Sequence, residues 1–166
     1  MLPLADYVSS EGGLNLMSST YRKYNDSAIP TKAKAGGSYI NSFLATSDAQ
    51  RNGYDDALMF DDAGNVVEVS VANIILVYRG QIIIPDTGNA ALEGITVRSA
   101  LELLEHNGYK INRGKIDRSM VFTADELLVT GTAMKITYAE SLDKRPIGQL
   151  DFNAKPQAGK FHKLLK

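Results

Sequence analysis

A lysine set among small residues, a glutamate inside a run of valines and two hydroxyl-rich turns are the positions where this chain could do chemistry. Lys34 lies in Thr31-Lys32-Ala33-Lys34-Ala35-Gly36-Gly37-Ser38-Tyr39, between two alanines and beside a Gly-Gly pair. Small neighbours let a ligand approach closely, and glycine permits backbone angles that other residues resist. A lysine boxed in this way can be a desolvated amine, the usual state of a Schiff-base nucleophile; a solvated loop lysine is the ordinary alternative. Glu68 interrupts Val66-Val67-Glu68-Val69. Strand alternation would let it face solvent, whereas an inward Glu68 needs a cationic partner or a protonated ring nitrogen. Gly94-Ile95-Thr96 opens a helix, where free backbone N–H groups and a hydroxyl suit a phosphate as well as an ordinary cap. Thr130-Gly131-Thr132-Ala133 is another hydroxyl-rich turn at a strand end, where anions also collect. Lysine, carboxylate and two anion-friendly turns together point to pyridoxal 5′-phosphate. The lysine would form the Schiff base, the carboxylate would keep the pyridine nitrogen protonated, and the turns would hold the phosphate.

Composition removes the main competitors. The 166 residues include no cysteine, which excludes disulfide scaffolds, Cys-ligated zinc and thiol catalysis. Only two histidines, His106 and His162, argue against a His-based triad or a multi-His metal site. A formal net charge of -1 gives no electrostatic case for nucleic acid or an anionic membrane. The longest apolar run, Ile74 to Val77, is far too short to span a bilayer. No basic-then-apolar leader is visible, so the expected location is cytoplasmic. Neither turn fits the Walker pattern, and no G-x-G-x-x-G occurs. The Asp-rich segment Asp61-Asp62-Ala63-Gly64-Asn65 lacks the spacing and closing Glu of a calcium loop.

One domain must position these groups. Residues 1–13 read as a linker or entry segment, and Leu14, Leu16 and Ser18 alternate as a strand. Arg22 to Pro30 is a polar connection. A helix from Tyr39 to Asn52 is expected, with Ile40, Phe43, Leu44 and Ser47 on one face and Asn52-Gly53 as its stop. Ala57–Phe60 and Val66–Val69 form a hairpin, as do Ile74–Tyr78 and Gln81–Ile84 across Arg79-Gly80, which predicts an antiparallel meander around Glu68. The next helix carries Val97, Ala100, Leu101 and Leu104 on one face and stops at Asn107-Gly108. Ile111–Ile116, Leu127–Val129 and Ile136–Tyr138 read as strands, and Ser119–Ala124 as a turn or short helix. Thr123 to Glu126 has the spacing of a capping box, and Lys155–Lys166 closes the chain with a basic helix.

With those residues in place, Ile29-Pro30-Thr31-Lys32-Ala33-Lys34-Ala35-Gly36-Gly37-Ser38-Tyr39 resembles the cofactor-lysine segment of class IV (fold type IV) aminotransferases, in their branched-chain form. Arg51–Leu58, the strand with Glu68, Leu92–Thr96, Thr123–Leu127 and Thr130–Ala133 continue the likeness in order, from about Leu14 to about Lys163. The resemblance implies a mixed, largely antiparallel α/β fold, the pseudo-barrel large domain of that family, with residues 14–166 as the pyridoxal-phosphate-binding domain. It also implies a homodimer that transfers an amino group between an apolar amino acid and 2-oxoglutarate, by ping-pong kinetics. Lys34 would be catalytic, carrying the Schiff base and moving the substrate proton. Tyr39 would bond the ring hydroxyl and Glu68 the pyridine nitrogen. The Gly94 turn, through the N–H groups of Ile95 and Thr96 and the Thr96 hydroxyl, would hold the phosphate with Gly131 and Thr132. Thr132 and Ala133 would meet the substrate carboxylate.

Departures from the family pattern keep other readings open. Val71 and Ala72 replace a glycine and a glutamate near the cofactor, and Val97 stands where Arg is frequent, with Arg98 one place later. A D-amino acid aminotransferase or an aminodeoxychorismate lyase relative fits that change, although the Ala-Gly-Gly-Ser-Tyr run after Lys34 argues against both. The family's smaller N-terminal domain, which roofs the site, is expected to be absent here, leaving the chain a poor catalyst by itself. A non-catalytic domain that binds a partner is the alternative from another class.

Overall fold

Among the described residues, aliphatic and β-branched runs build nine strands that join in one mixed sheet, in the order β3-β2-β1-β8-β7-β4-β5-β6, with β9 beside β8. The computed structural model describes residues 12–86, 88, 90–148 and 159–165. The expected linker therefore falls, apart from Gly12 and Gly13, outside the described residues. The strands are β1 (Leu14–Arg22), β2 (Asp56–Phe60), β3 (Val66–Val69), β4 (Asn73–Tyr78), β5 (Gln81–Pro85), β6 (Ile111–Gly114), β7 (Glu126–Gly131), β8 (Lys135–Leu142) and β9 (Arg145–Pro146). The helices are α1 (Tyr39–Arg51), α2 (Ile95–His106), α3 (Arg118–Phe122) and α4 (Lys160–Leu165). Most pairings are antiparallel, as expected. The parallel ones are β1 with β2, β1 with β8, and β5 with β6.

Parallel neighbours need a crossover, and two of these pairs are closed by helices. Helix α1 carries the chain from β1 to β2, and α2 carries it from β5 to β6. The lysine segment lies just ahead of α1, and Gly94 just ahead of α2. The two crossovers thus place both candidate segments at helix entrances.

Both hairpins form with the expected strands. The meander does not continue through them. β3 pairs with β2, whereas β4 pairs with β5 and β7, so β3 and β4 meet at a corner instead of a ladder. The Val69 N–H donates to the Ala72 carbonyl (3.0 Å) and closes that corner, curling the sheet. Thr123 is also not the start of a capping box. It ends α3, donating its hydroxyl to the Ser119 carbonyl (3.1 Å), and a strand rather than a helix follows.

The main core lies inside the curl, where Leu16, Leu58, Val69, Leu127 and Leu142 are fully enclosed. A second cluster packs Val97, Ala100, Leu101 and Leu104 of α2 on Ile75, Ile82 and Leu128, as the helical spacing predicts. On α1 the apolar face points away from the core. Ile40, Phe43 and Leu44 are exposed, and the helix packs through Ser42, Ala45 and Ala49. Small side chains let α1 lie close against Ala57 and Met59, and larger ones would hold it off the sheet. No helix among the described residues is long and apolar enough to cross a membrane.

Candidate active site

The loop after β1 is built to hold Lys34 in one place. Asp26 accepts the Thr31 N–H (2.8 Å) and hydroxyl (3.0 Å), and these bonds hold its carboxyl below the usual range. Lys32 donates to the Ala91 carbonyl (2.6 Å), which ties this loop to the one before α2. With Lys32 engaged elsewhere, Lys34 is the lysine of the segment that lines the cleft. It follows a single 3-10 turn at Thr31–Ala33, with φ 49 and ψ 40, a left-handed conformation uncommon outside glycine. The alanines and glycines do not bury it: of the two readings its neighbours allow, a desolvated amine and a solvated loop lysine, the structure shows the exposed one. Tyr39 begins α1 at the same mouth and is half-exposed.

Glu68 resolves inward. All four residues of β3 are buried, so neither face of that strand offers it solvent. The register against β2 slips between Met59 and Phe60, a bulge beside Glu68 of the kind that re-aims a side chain. Its required partner is a cation: Lys23 Nζ lies 2.5 Å from Glu68 Oε1, and both side chains are only 8% exposed. Burial pushes the Glu68 carboxyl up, and the Lys23 ammonium pulls it back. Glu68 Oε2 accepts a long bond from Asn73 Nδ2 (3.3 Å).

Asn73 also shapes the next part of the site. Its Nδ2 donates to the Leu92 carbonyl (2.8 Å), and its Oδ1 accepts the Gly94 N–H (2.9 Å). A Cβ on Gly94 would stand 2.8 Å from Asn73 Oδ1, so glycine is what admits this clamp. No side chain caps α2, which leaves the N–H groups of its first turn directed at the cleft. Across from it, a Cβ on Gly131 would come within 3.1 Å of the Ala72 Cβ, so the β7–β8 turn presses on the corner after β3. Thr130 Oγ1 is buried with no hydrogen-bond partner among the described residues.

One cleft of about 820 Å³, including its open mouth, collects these groups. Lys34 and Tyr39 line it from the α1 entrance, Glu68 from β3, Gly94, Ile95 and Thr96 from the α2 entrance, and Gly131 and Thr132 from the β7–β8 turn. Ala133 is exposed in that turn and does not line it. Lys23 and Asn73 join the site without a local sequence signal for it, whereas Thr130 belongs to a turn already marked as anion-friendly. Lys23 sat in a stretch that read as a polar connection, and Asn73 only closed the altered segment after Glu68. A buried glutamate in a valine run was the one signal that a cation had to be found.

The arrangement fits a phosphorylated pyridine. It offers an amine at the mouth, a carboxylate inside, and uncapped N–H groups beside an unpartnered threonine hydroxyl for an anion. Among the described residues no cluster of His, Asp and Glu could hold a metal.

Comparison with known proteins agrees with this chemistry. The family model for amino-transferase class IV matches residues 2–142. The branched-chain-amino-acid aminotransferase of Pseudomonas aeruginosa is 38% identical over 136 residues, which cover 82% of this chain and 44% of that protein. Branched-chain aminotransferase from Thermoproteus uzoniensis with norvaline superposes with a TM-score of 0.88 at 32% identity, over 99% of this chain and 52% of that one. The branched-chain amino acid aminotransferase from Thermobaculum terrenum, in its PLP holo-form, gives 0.83 at 30% identity, over 92% and 48%. The chain spans about half the length of these relatives. A cleft of this construction, on a sheet of this topology and with a family match over most of the sequence, makes the chain a member of the class IV amino-transferase family.

Proposed function

We propose that residues 14–166 form the large, pyridoxal-5′-phosphate-binding domain of a branched-chain-aminotransferase-like enzyme. The reading is carried by one observation: Lys34, Glu68 and both anion-friendly turns, distant in sequence, line a single cleft. When bound, the cofactor supplies an electron sink for the carbanion formed at a substrate α-carbon. Lys34 holds it covalently and moves the proton at that α-carbon. Tyr39 orients the ring through its hydroxyl, and Glu68 faces the ring nitrogen. Ile95 and Thr96 donate backbone N–H groups to the phosphate, joined by the hydroxyls of Thr96 and Thr132, while Gly94 and Gly131 allow the close approach. Thr132 receives the substrate carboxylate; Ala133, which does not line the cleft, takes no part.

The substrates in this reading are an apolar amino acid and a 2-oxo acid, 2-oxoglutarate in the second half-reaction. Val71, 46% exposed and lining the cleft, adds apolar surface where such a side chain would lie. The protein works as a homodimer, for which the exposed Ile40, Phe43 and Leu44 of α1 provide the apolar face.

Borohydride reduction in the presence of pyridoxal phosphate, followed by peptide mapping, tests the site. A stable adduct confined to Lys34, abolished in Lys34→Ala, is the expected result. Labelling scattered over many lysines, or none, overturns the reading.

A further inference from the structure

Among the described residues, Lys23 is the one buried cation lining the cleft, and the proposed function leaves it without a task. Its backbone N–H donates to the Phe60 carbonyl (2.8 Å), which fixes the chain just past β1 against the end of β2. From there its side chain runs inward to Glu68, at 2.5 Å. The Tyr24 ring lies 5.6 Å from the ammonium, on its flank. Taking a lysine and a glutamate out of water together is costly, and pairs of hydrophobic residues pack as stably. A fold that keeps such a pair at the floor of a cleft is using the charge.

We propose that Lys23 is a positioning residue that acts through Glu68, holding its carboxyl as the anion so that a proton shared with a pyridine nitrogen resides on the ring. The inference rests on the cofactor reading given above. Its physics is a choice between two states of one proton: pyridinium facing carboxylate, or neutral pyridine facing carboxylic acid. In a site with little water the neutral pair is favoured, because neither group then carries an unsolvated charge. The ammonium on Oε1 reverses that preference. It attracts the carboxylate at contact distance and repels a pyridinium on the carboxylate's far side more weakly, since Coulomb energy falls with separation.

The geometry leaves room for this arrangement. Oε1 is taken by Lys23, and among the described residues Oε2 carries only the 3.3 Å bond from Asn73. Lys32 adds a smaller positive contribution from the neighbouring loop, and it is anchored on the Ala91 carbonyl. Lys34, at the mouth, is the only other lysine that lines the cleft among the described residues.

The test uses the full chain loaded with pyridoxal phosphate labelled with 15N in the ring. Wild type, Lys23→Gln and Lys23→Arg are compared by the ring-nitrogen chemical shift and by cofactor affinity. Glutamine can still donate to Glu68 and fill the space, so it removes the charge while keeping the contact. The expected wild-type shift is that of a pyridinium; Lys23→Gln moves it toward neutral pyridine and weakens cofactor binding by about tenfold, the equivalent of one pKa unit. Lys23→Arg restores the wild-type shift. A purely structural Lys23 would leave the shift unchanged in folded Lys23→Gln, and that result overturns the proposal while leaving the cofactor reading intact. If Lys23→Gln does not fold, Lys23→Arg and the Glu68→Gln/Lys23→Gln double variant decide. The double variant has no carboxylate to hold, and a pyridinium shift there sinks the idea. Wild type that binds no cofactor, or a reductive adduct on Lys23, overturns both readings together.

Discussion

The two crossover helices do the same topological work and are built in opposite ways. Helix α2 joins β5 to β6 and buries Val97, Ala100, Leu101 and Leu104, the residues its spacing marks as apolar. Helix α1 joins β1 to β2, buries Ser42, Ala45 and Ala49, and turns Ile40, Phe43 and Leu44 outward. The difference teaches that helical period identifies a face without saying what the face meets. For α2 the partner is this chain's own sheet. For α1 the small face meets the sheet, and the apolar face, next to Tyr39 and the cleft mouth, is exposed.

The sharpest way to break the comparison is to cut a large residue from α2. Leu104 is fully enclosed, so Leu104→Ala should cost about 2–5 kcal/mol through lost burial and a residual cavity. Urea unfolding measures it, and a loss within experimental scatter would mean that α2 is not seated as described.

Beneath α1 lies Asp56, whose Oδ1 accepts the Ala57 N–H (2.7 Å) and the Thr46 hydroxyl (3.2 Å). Burial pushes its carboxyl up, against the pull of Ser70, Ala57 and Thr46. A raised acid contributes stability that is complete below its unfolded pKa and lost as pH rises through its folded pKa. Asp56→Asn removes that loss. The variant should therefore gain on wild type as pH rises above about 4, the ordinary aspartate range, toward neutral. Parallel stability curves for the two proteins would show that Asp56 does not titrate differently on folding.

The smallest effect on folding should come from the outer face of α1. Phe43 is 73% exposed, so Phe43→Ser should change unfolding stability by less than about 0.5 kcal/mol. It should instead weaken self-association by about tenfold, read by sedimentation velocity, because aromatic residues anchor such interfaces. A large loss of stability with unchanged association would reverse the roles of the two faces.

Much of the molecule was legible in short stretches. The hairpin at Arg79-Gly80 forms where two residues with positive φ (51 and 73) can turn a chain between apolar runs. The α2 entrance and the β7–β8 turn were readable as anion-friendly because glycine and threonine act there through their own backbone and hydroxyl groups. Lys34 was readable as the cleft lysine, and its exposure matches the ordinary state of a lysine in a glycine-rich loop.

The sequence by itself determined what local geometry determines: the strands, α2 and its buried face, the turns, and the family to which the lysine segment points. Tertiary structure alone decided the rest. It seated α1 on its small residues, broke the meander at the Val69–Ala72 corner, and set Lys23 against Glu68 from a distant part of the sequence. The physical reason is common to these cases. Period and turn chemistry act over a few neighbouring residues, whereas a helix's packing face, a strand's neighbour and a buried charge's partner are chosen by segments brought together only when the sheet closes.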